Sequence, residues 1–236
     1  MLAGVLSGMA SHLLVLPTYP LGFLPRREKT GSGPPVLLVH GLYHNRSAWL
    51  LMAPRLRRLG FSNLHPAQYP SFGRDFWAIL EGLVQQALAL LQAGPGRKIG
   101  LVGHSLGGLL VRAAAADPRL AGRVFAVVTL GAPHRGSRLA ALGIGSLARS
   151  LVFEGPLVRR IEALGCPAGI PKLSLSTVAD DFVTPLAAMR VEGPGWLEVE
   201  GPAVSHVSLL YSRRTASLVG EFLARSGGGN LSPGLP

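Results

Sequence analysis

The chain has 236 residues, enough for one α/β domain with a sizeable core, and 48% of them are apolar against 15% charged. Its charge is lopsided, with 23 Lys and Arg against 12 Asp and Glu, formally +11 at pH 7. No basic run is interleaved with aromatics, which excludes the usual nucleic-acid pattern and leaves either a solvated arginine-rich surface or attraction to anionic lipid. Cys166 is the only cysteine, so an intrachain disulfide is impossible and the compartment stays open.

Met1 to Leu16 is apolar but lacks the basic start and small-residue cleavage site of a secretory signal. It is also shorter than the roughly 20 residues that cross a bilayer. Two readings stand: a segment packed on the domain, or one lying in a membrane interface with Arg26, Arg27 and Lys29 beside it. A cytoplasmic or membrane-associated location follows as the expectation. Residues 1–33 form this apolar segment and a Gly/Pro-rich linker, residues 34–225 the main domain, and residues 226–236 a Gly/Pro-rich tail expected to be disordered.

Val36 to Val39 reads as a central parallel strand, apolar on both faces. The pattern predicts a helix from about Trp49 to Leu59, capped by Asn45 or Ser47, then a strand over Asn63 to Tyr69. Asp75 caps a long amphipathic helix whose Ile79, Leu83, Val84, Ala87 and Leu91 recur at helical spacing. Ile99-Gly100-Leu101-Val102 predicts a further strand and Leu109 to Ala116 a helix; Val124 to Leu130 is the next strand. Lys172 to Val178 and Leu197 to Val199 complete the strands, and Arg213 to Ala224 is the last helix. Alternation of strands and helices predicts a parallel sheet covered on both faces. Gly136 to Gly169 breaks this rhythm and reads as a short cap.

Between strand and helix stands Gly103-His104-Ser105-Leu106-Gly107. A serine at the apex of such a turn needs small neighbours, because its backbone is strained, and the following helix points its positive end at it. Ser105 is thus the candidate nucleophile. Such a serine needs a base and an acid; where the serine sits on a strand-to-helix elbow of the hydrolase type, they follow it in the order acid, then histidine. Of seven histidines only His134 and His206 follow Ser105, and only His206 lies beyond the later strands. Asp180 and Asp181 close the strand before it, at the end where parallel sheets place ligands, and either could meet His206. The oxyanion donors are the backbone N–H groups of Leu106, after the serine, and Leu42, in the loop after the first strand. His40 and His104 precede these donors and read as structural hydrogen-bonding residues. No His, Asp or Cys set has metal-ligand spacing.

His40-Gly41-Leu42 with Trp49, Leu101 to Gly108, Thr129-Leu130-Gly131-Ala132-Pro133-His134-Arg135-Gly136-Ser137, Asp181-Phe182-Val183-Thr184-Pro185 and Ser205 to Ser212 follow one another in this order. Together, from about Pro34 to Ala224, they resemble the bacterial triacylglycerol lipase and esterase branch of the α/β-hydrolase superfamily. The resemblance implies an α/β-hydrolase fold. With little chain before Val36, the expectation is a minimal, mostly parallel sheet of about six strands, helices on both faces and a short cap. It implies a serine hydrolase that cleaves carboxylic esters through an acyl-enzyme, without a cofactor. Ser105 would attack, His206 shuttle the proton, and Leu42 and Leu106 bind the oxyanion. In the family pattern the acid precedes a short apolar step and a proline, which selects Asp181 to hold the imidazole. The expected partner is a small-molecule ester or lipid, with a peripheral membrane contact open and no nucleic acid. Two alternatives remain: a phospholipase or lipid-anchor deacylase, and a non-catalytic binding protein on the same fold.

Overall fold

Val36–Val39 (β1), Leu64–Pro66 (β2), Ile99–His104 (β3), Val124–Leu130 (β4), Lys172–Ser176 (β5) and Trp196–Glu200 (β6) form one sheet in the order β2-β1-β3-β4-β5-β6. Every neighbouring pair is parallel. These positions come from a computed structural model, which describes residues 15, 17–24, 31–92, 98–191 and 193–228. The expectations for residues 1–14 and 16, for the flank Arg26, Arg27 and Lys29, and for the tail beyond residue 228 lie outside the described residues.

Side chains alternate across the strands and feed two cores. Leu37, Val39, Ile99, Leu101 and Val127 pack on one side with Met-free helices Phe76–Gln92 (α2) and Leu106–Ala115 (α3). Val36, Leu38, Val102, Ala126 and Val128 pack on the other with Met52–Arg58 (α1) and Arg213–Leu223 (α6). Every residue of α3 is buried, Arg112 included, because the helix lies between the sheet and α2. At the sheet's edge β6 is largely exposed and carries Glu198 and Glu200, charges that discourage pairing with another strand.

Two predicted elements shorten for a common reason. The helix expected from Trp49 begins at Met52, because Pro54 has no N–H to give and fits only a first turn; Arg46–Trp49 forms a separate 3-10 turn. Pro66 likewise limits β2 to three residues at the opposite edge of the sheet. β5 stops at Ser176, because the Thr177 hydroxyl accepts from the Ala179 N–H and turns the chain. The cap region holds a 3-10 turn, Arg138–Leu142, then helices Ser146–Ser150 (α4) and Pro156–Ala163 (α5). Among the described residues no helix is long and apolar enough to cross a membrane.

Candidate active site

Ser105 is the single residue between β3 and α3, with φ 55° and ψ −123°. A non-glycine residue held there stores roughly 1–3 kcal/mol of backbone strain and persists only where its surroundings enforce it. Here its N–H donates to the Leu130 carbonyl at 2.9 Å and its carbonyl accepts from the Gly108 N–H at 2.8 Å. The turn also demands small residues. A Cβ on Gly107 would stand 2.1 Å from the Val39 carbonyl oxygen, so α3 starts hard against the end of β1. The loop after β1 is equally close: a Cβ on Gly41 would stand 2.9 Å from the Ser105 Cβ. Leu42 and Ser105 consequently line one cavity, and Leu106 opens α3, where first-turn N–H groups lack intrahelical partners.

His206 sits at the start of the 3-10 turn Val207–Tyr211 and is held at three points. Its ring Nδ1 lies 2.7 Å from Asp180 Oδ2, its backbone N–H donates to Asp181 Oδ1 at 3.0 Å, and its carbonyl lies 3.0 Å from His104 Nε2. The sequence expectation that Asp181 holds the imidazole is therefore corrected: Asp180 holds it, and Asp181 holds the backbone. The reason is the turn after β5. Asp180 Oδ1 accepts the N–H groups of Phe182 and Val183 at 2.9 and 2.7 Å, which turns its other oxygen to His206 and leaves the Asp180 side chain 0% exposed. Asp181, one residue on, is exposed. An aspartate capping the N–H groups two and three residues ahead is a local motif that the Asp180-Asp181-Phe182-Val183 run offers in its sequence.

The neighbouring histidines brace backbone. Burial lowers the His104 pKa well below its ordinary value, so the ring is neutral and its Nε2–H donates to the His206 carbonyl. His40, lowered to about 4 by burial, stacks on Tyr69 with centroids 4.0 Å apart. Its Nδ1 is 2.9 Å from the Gly41 carbonyl, which requires the proton on that nitrogen. His134, lowered to about 3 by burial, lies elsewhere against Thr129 and Arg112.

The cap root is tied to the same loop. Ser137 Oγ donates to the Phe182 carbonyl at 2.7 Å and accepts from the Thr184 N–H at 3.0 Å, and the Arg138 N–H donates to the Thr184 carbonyl at 2.7 Å. Farther along, the Tyr43 hydroxyl donates to the Ile144 carbonyl at 2.5 Å, and the Tyr43 ring stacks on Phe72. Sequence reasoning held Asp180 and Asp181 as candidates and preferred Asp181 on the family pattern; it missed Ser137 and Tyr43 as ties.

Ser105, His206 and Leu42 face a cavity of about 500 Å³ roofed by Leu139, Ala140 and Leu142 of the cap. Leu142, 83% exposed, and Phe182 line it, and the exposed Ile144 and Phe72 join its lining residue Tyr43 through the hydrogen bond and ring stack above. Among the described residues no group of three or more His, Cys, Asp or Glu is placed to hold a metal ion.

A parallel sheet whose third strand turns through a strained serine into a buried helix defines an α/β-hydrolase. Residues 36–225 match the alpha/beta hydrolase family, and the chain belongs to it. No curated protein sequence matches the chain. Among solved structures, the mature form of Bacillus licheniformis lipase BlEst2 is similar with 20% identity and a TM-score of 0.67, over 86% of this chain and 96% of that one. Aspergillus fumigatus lipase B is similar at 17% identity and a TM-score of 0.75, over 89% of this chain but only 57% of that one. The phospholipase PlaB of Legionella pneumophila shares the fold at 15% identity and a TM-score of 0.64, over 80% of this chain and 58% of that one.

Proposed function

We propose that the protein hydrolyses carboxylic esters of lipid-like substrates through an acyl-enzyme. The observation that carries this reading is the convergence of strained Ser105 and Asp180-held His206 on one apolar-walled cavity. In the first half-reaction His206 Nε2 takes the Ser105 proton as Oγ attacks the ester carbonyl carbon. The oxyanion collects N–H bonds from Leu42 and Leu106, and His206 returns the proton to the departing alcohol. Water, deprotonated by the same nitrogen, then attacks the acyl-serine and releases the acid. The Asp180 carboxylate keeps the ring proton on Nδ1, leaving Nε2 free as the base. No cofactor enters this scheme.

The apolar roof and the open rim of Leu142, Ile144, Phe72 and Phe182 support an apolar acyl group and a peripheral membrane contact. The formal charge of +11 favours a second reading within the same chemistry, a phospholipase or lipid-anchor deacylase working at anionic surfaces. A panel of p-nitrophenyl esters by acyl length, with monoacylglycerols and phospholipids, separates the two. Wild type is expected to turn over the esters and take up a fluorophosphonate label, and Ser105→Ala to do neither while remaining folded. A wild type with no turnover and no labelling would leave the non-catalytic binding protein as the better reading.

A further inference from the structure

A second cavity, of about 420 Å³, lies behind the cap and away from Ser105. Helix α4 is the wall between the two: Leu147 and Arg149 face the second cavity, whereas Ala148 and the following Leu151 face the first. Phe76, Trp77, Val152, Pro156 and Leu157 add to its apolar lining, and its volume falls in the ~300–1,000 Å³ range of small-ligand sites. Two guanidinium groups, Arg149 and Arg160, also line it. The Arg160 guanidinium carbon lies over the Trp77 ring, 4.1 Å from its centroid, a cation–π contact that uses none of its N–H donors. Among the described residues neither arginine forms an ion pair with a carboxylate. Asp75 also lines it, with its Oδ1 accepting from the Ala78 N–H at 2.8 Å to cap α2, so the lining carries two basic side chains against one acidic one.

We propose that this cavity binds a single-chain fatty carboxylate, its chain against Phe76, Trp77, Leu147 and Leu157 and its head between Arg149 and Arg160. Apolar walls joined to two unpaired guanidinium groups, which take a carboxylate bidentately, fit that chemistry. The choice of a fatty acid over another anionic amphiphile rests on the proposed ester hydrolysis, which releases such an acid.

The test is calorimetric titration of laurate, below its micelle concentration, into full-length Ser105→Ala protein. No turnover is involved, so a failure of the hydrolase reading and a failure here are read separately. Laurate is expected to bind, and Arg149→Gln/Arg160→Gln, which keeps the side-chain stems, to weaken it about tenfold or more with an unchanged melting temperature. Leu157→Glu, placing a carboxylate in the wall, is expected to abolish the same component of binding that the double arginine variant weakens, leaving any binding in the Ser105 cavity unchanged. Dodecanol is expected to bind at least tenfold more weakly than laurate. Absence of binding, equal affinity in the double variant, or dodecanol matching laurate would overturn the proposal. A lauroyl lysophosphatidylglycerol that outcompetes laurate would overturn the fatty-acid assignment.

Discussion

Asp180→Asn and Asp181→Asn form the most discriminating pair of substitutions, because adjacent carboxylates hold the same histidine by different atoms. Asp180 Oδ2 sits 2.7 Å from His206 Nδ1 and its side chain is wholly buried. In the asparagine variant the Oδ1 position still accepts from Phe182 and Val183, so the turn survives and the amide NH2 faces the ring. That donor selects the imidazole tautomer with its proton on Nε2, the nitrogen that must take the serine proton. Loss of the correct tautomer in a Ser-His-Asp arrangement lowers kcat by about 10⁴-fold. Asp181→Asn retains an oxygen acceptor for the His206 N–H, now 3.0 Å from Asp181 Oδ1, and loses only the charge on an exposed group. A neutral hydrogen bond in place of a charge-assisted one weakens the contact by roughly 1 kcal/mol, a loss of about fivefold. The assay is kcat and KM on p-nitrophenyl butyrate across pH 6–9, with melting temperatures of both variants. A larger loss of kcat in Asp181→Asn than in Asp180→Asn would refute the assignment of the two carboxylates.

Gly41→Ala is expected to lower kcat/KM by about 10²-fold, since its Cβ would stand 2.9 Å from the Ser105 Cβ and displace the loop carrying Leu42. Circular dichroism should show an intact fold, and wild-type kinetics in this variant would disprove the close approach. Stability should fall in acid. His40 and His134 have folded pKa values lowered to about 4 and about 3, so between the unfolded value of 6.5 and these the unfolded chain binds more protons. Their stabilisation is present above pH 6.5 and lost on descending through this window, by about 3 kcal/mol for His40 alone on complete titration. A urea midpoint that stays flat from pH 7.5 to 4.5 would contradict it. Arg112 is buried, its Nε without a partner among the described residues and its Nη1 3.4 Å from His134 Nδ1. Arg112→Met should therefore raise the unfolding free energy, by about 1 kcal/mol, as measured by urea denaturation; destabilisation by that amount would contradict the expectation.

The strand–serine–helix turn was legible because each requirement is local: an apolar run, small residues on both sides and a helix former after them. His206 was legible by chain order alone. The ring-binding carboxylate was not, since both Asp180 and Asp181 close the strand before His206 and the family spacing to Pro185 pointed to Asp181. They differ in how the chain turns after β5, where the N–H groups of Phe182 and Val183 capture one oxygen of Asp180. Pro66 marks the short β2 in the sequence, whereas the capping residues Asn45 and Ser47 point to a helix start that belongs to the 3-10 turn Arg46–Trp49, ahead of α1. Ser137 and Tyr43 left no sequence signal, because their partners lie 45, 47 and 101 residues away and are backbone groups that any residue carries.

Those long-range ties determine which part of the cap can move without disturbing the base. Ser137 joins the start of the cap to Phe182 and Thr184, in the segment whose N–H groups fix Asp180. Moving the cap from its root would therefore drag the carboxylate off His206. The far end is attached differently. The Tyr43 hydroxyl reaches the Ile144 carbonyl through one exposed bond, and Gly143 and Gly145 flank that residue. An exposed hydrogen bond contributes about 1 kcal/mol or less, so opening there disturbs neither Asp180 nor His206. An opening of the cap that leaves the proposed acid and base in register is therefore expected at the Leu142–Gly145 edge, where Leu142 and Ile144 are most exposed, and not at the Ser137 root.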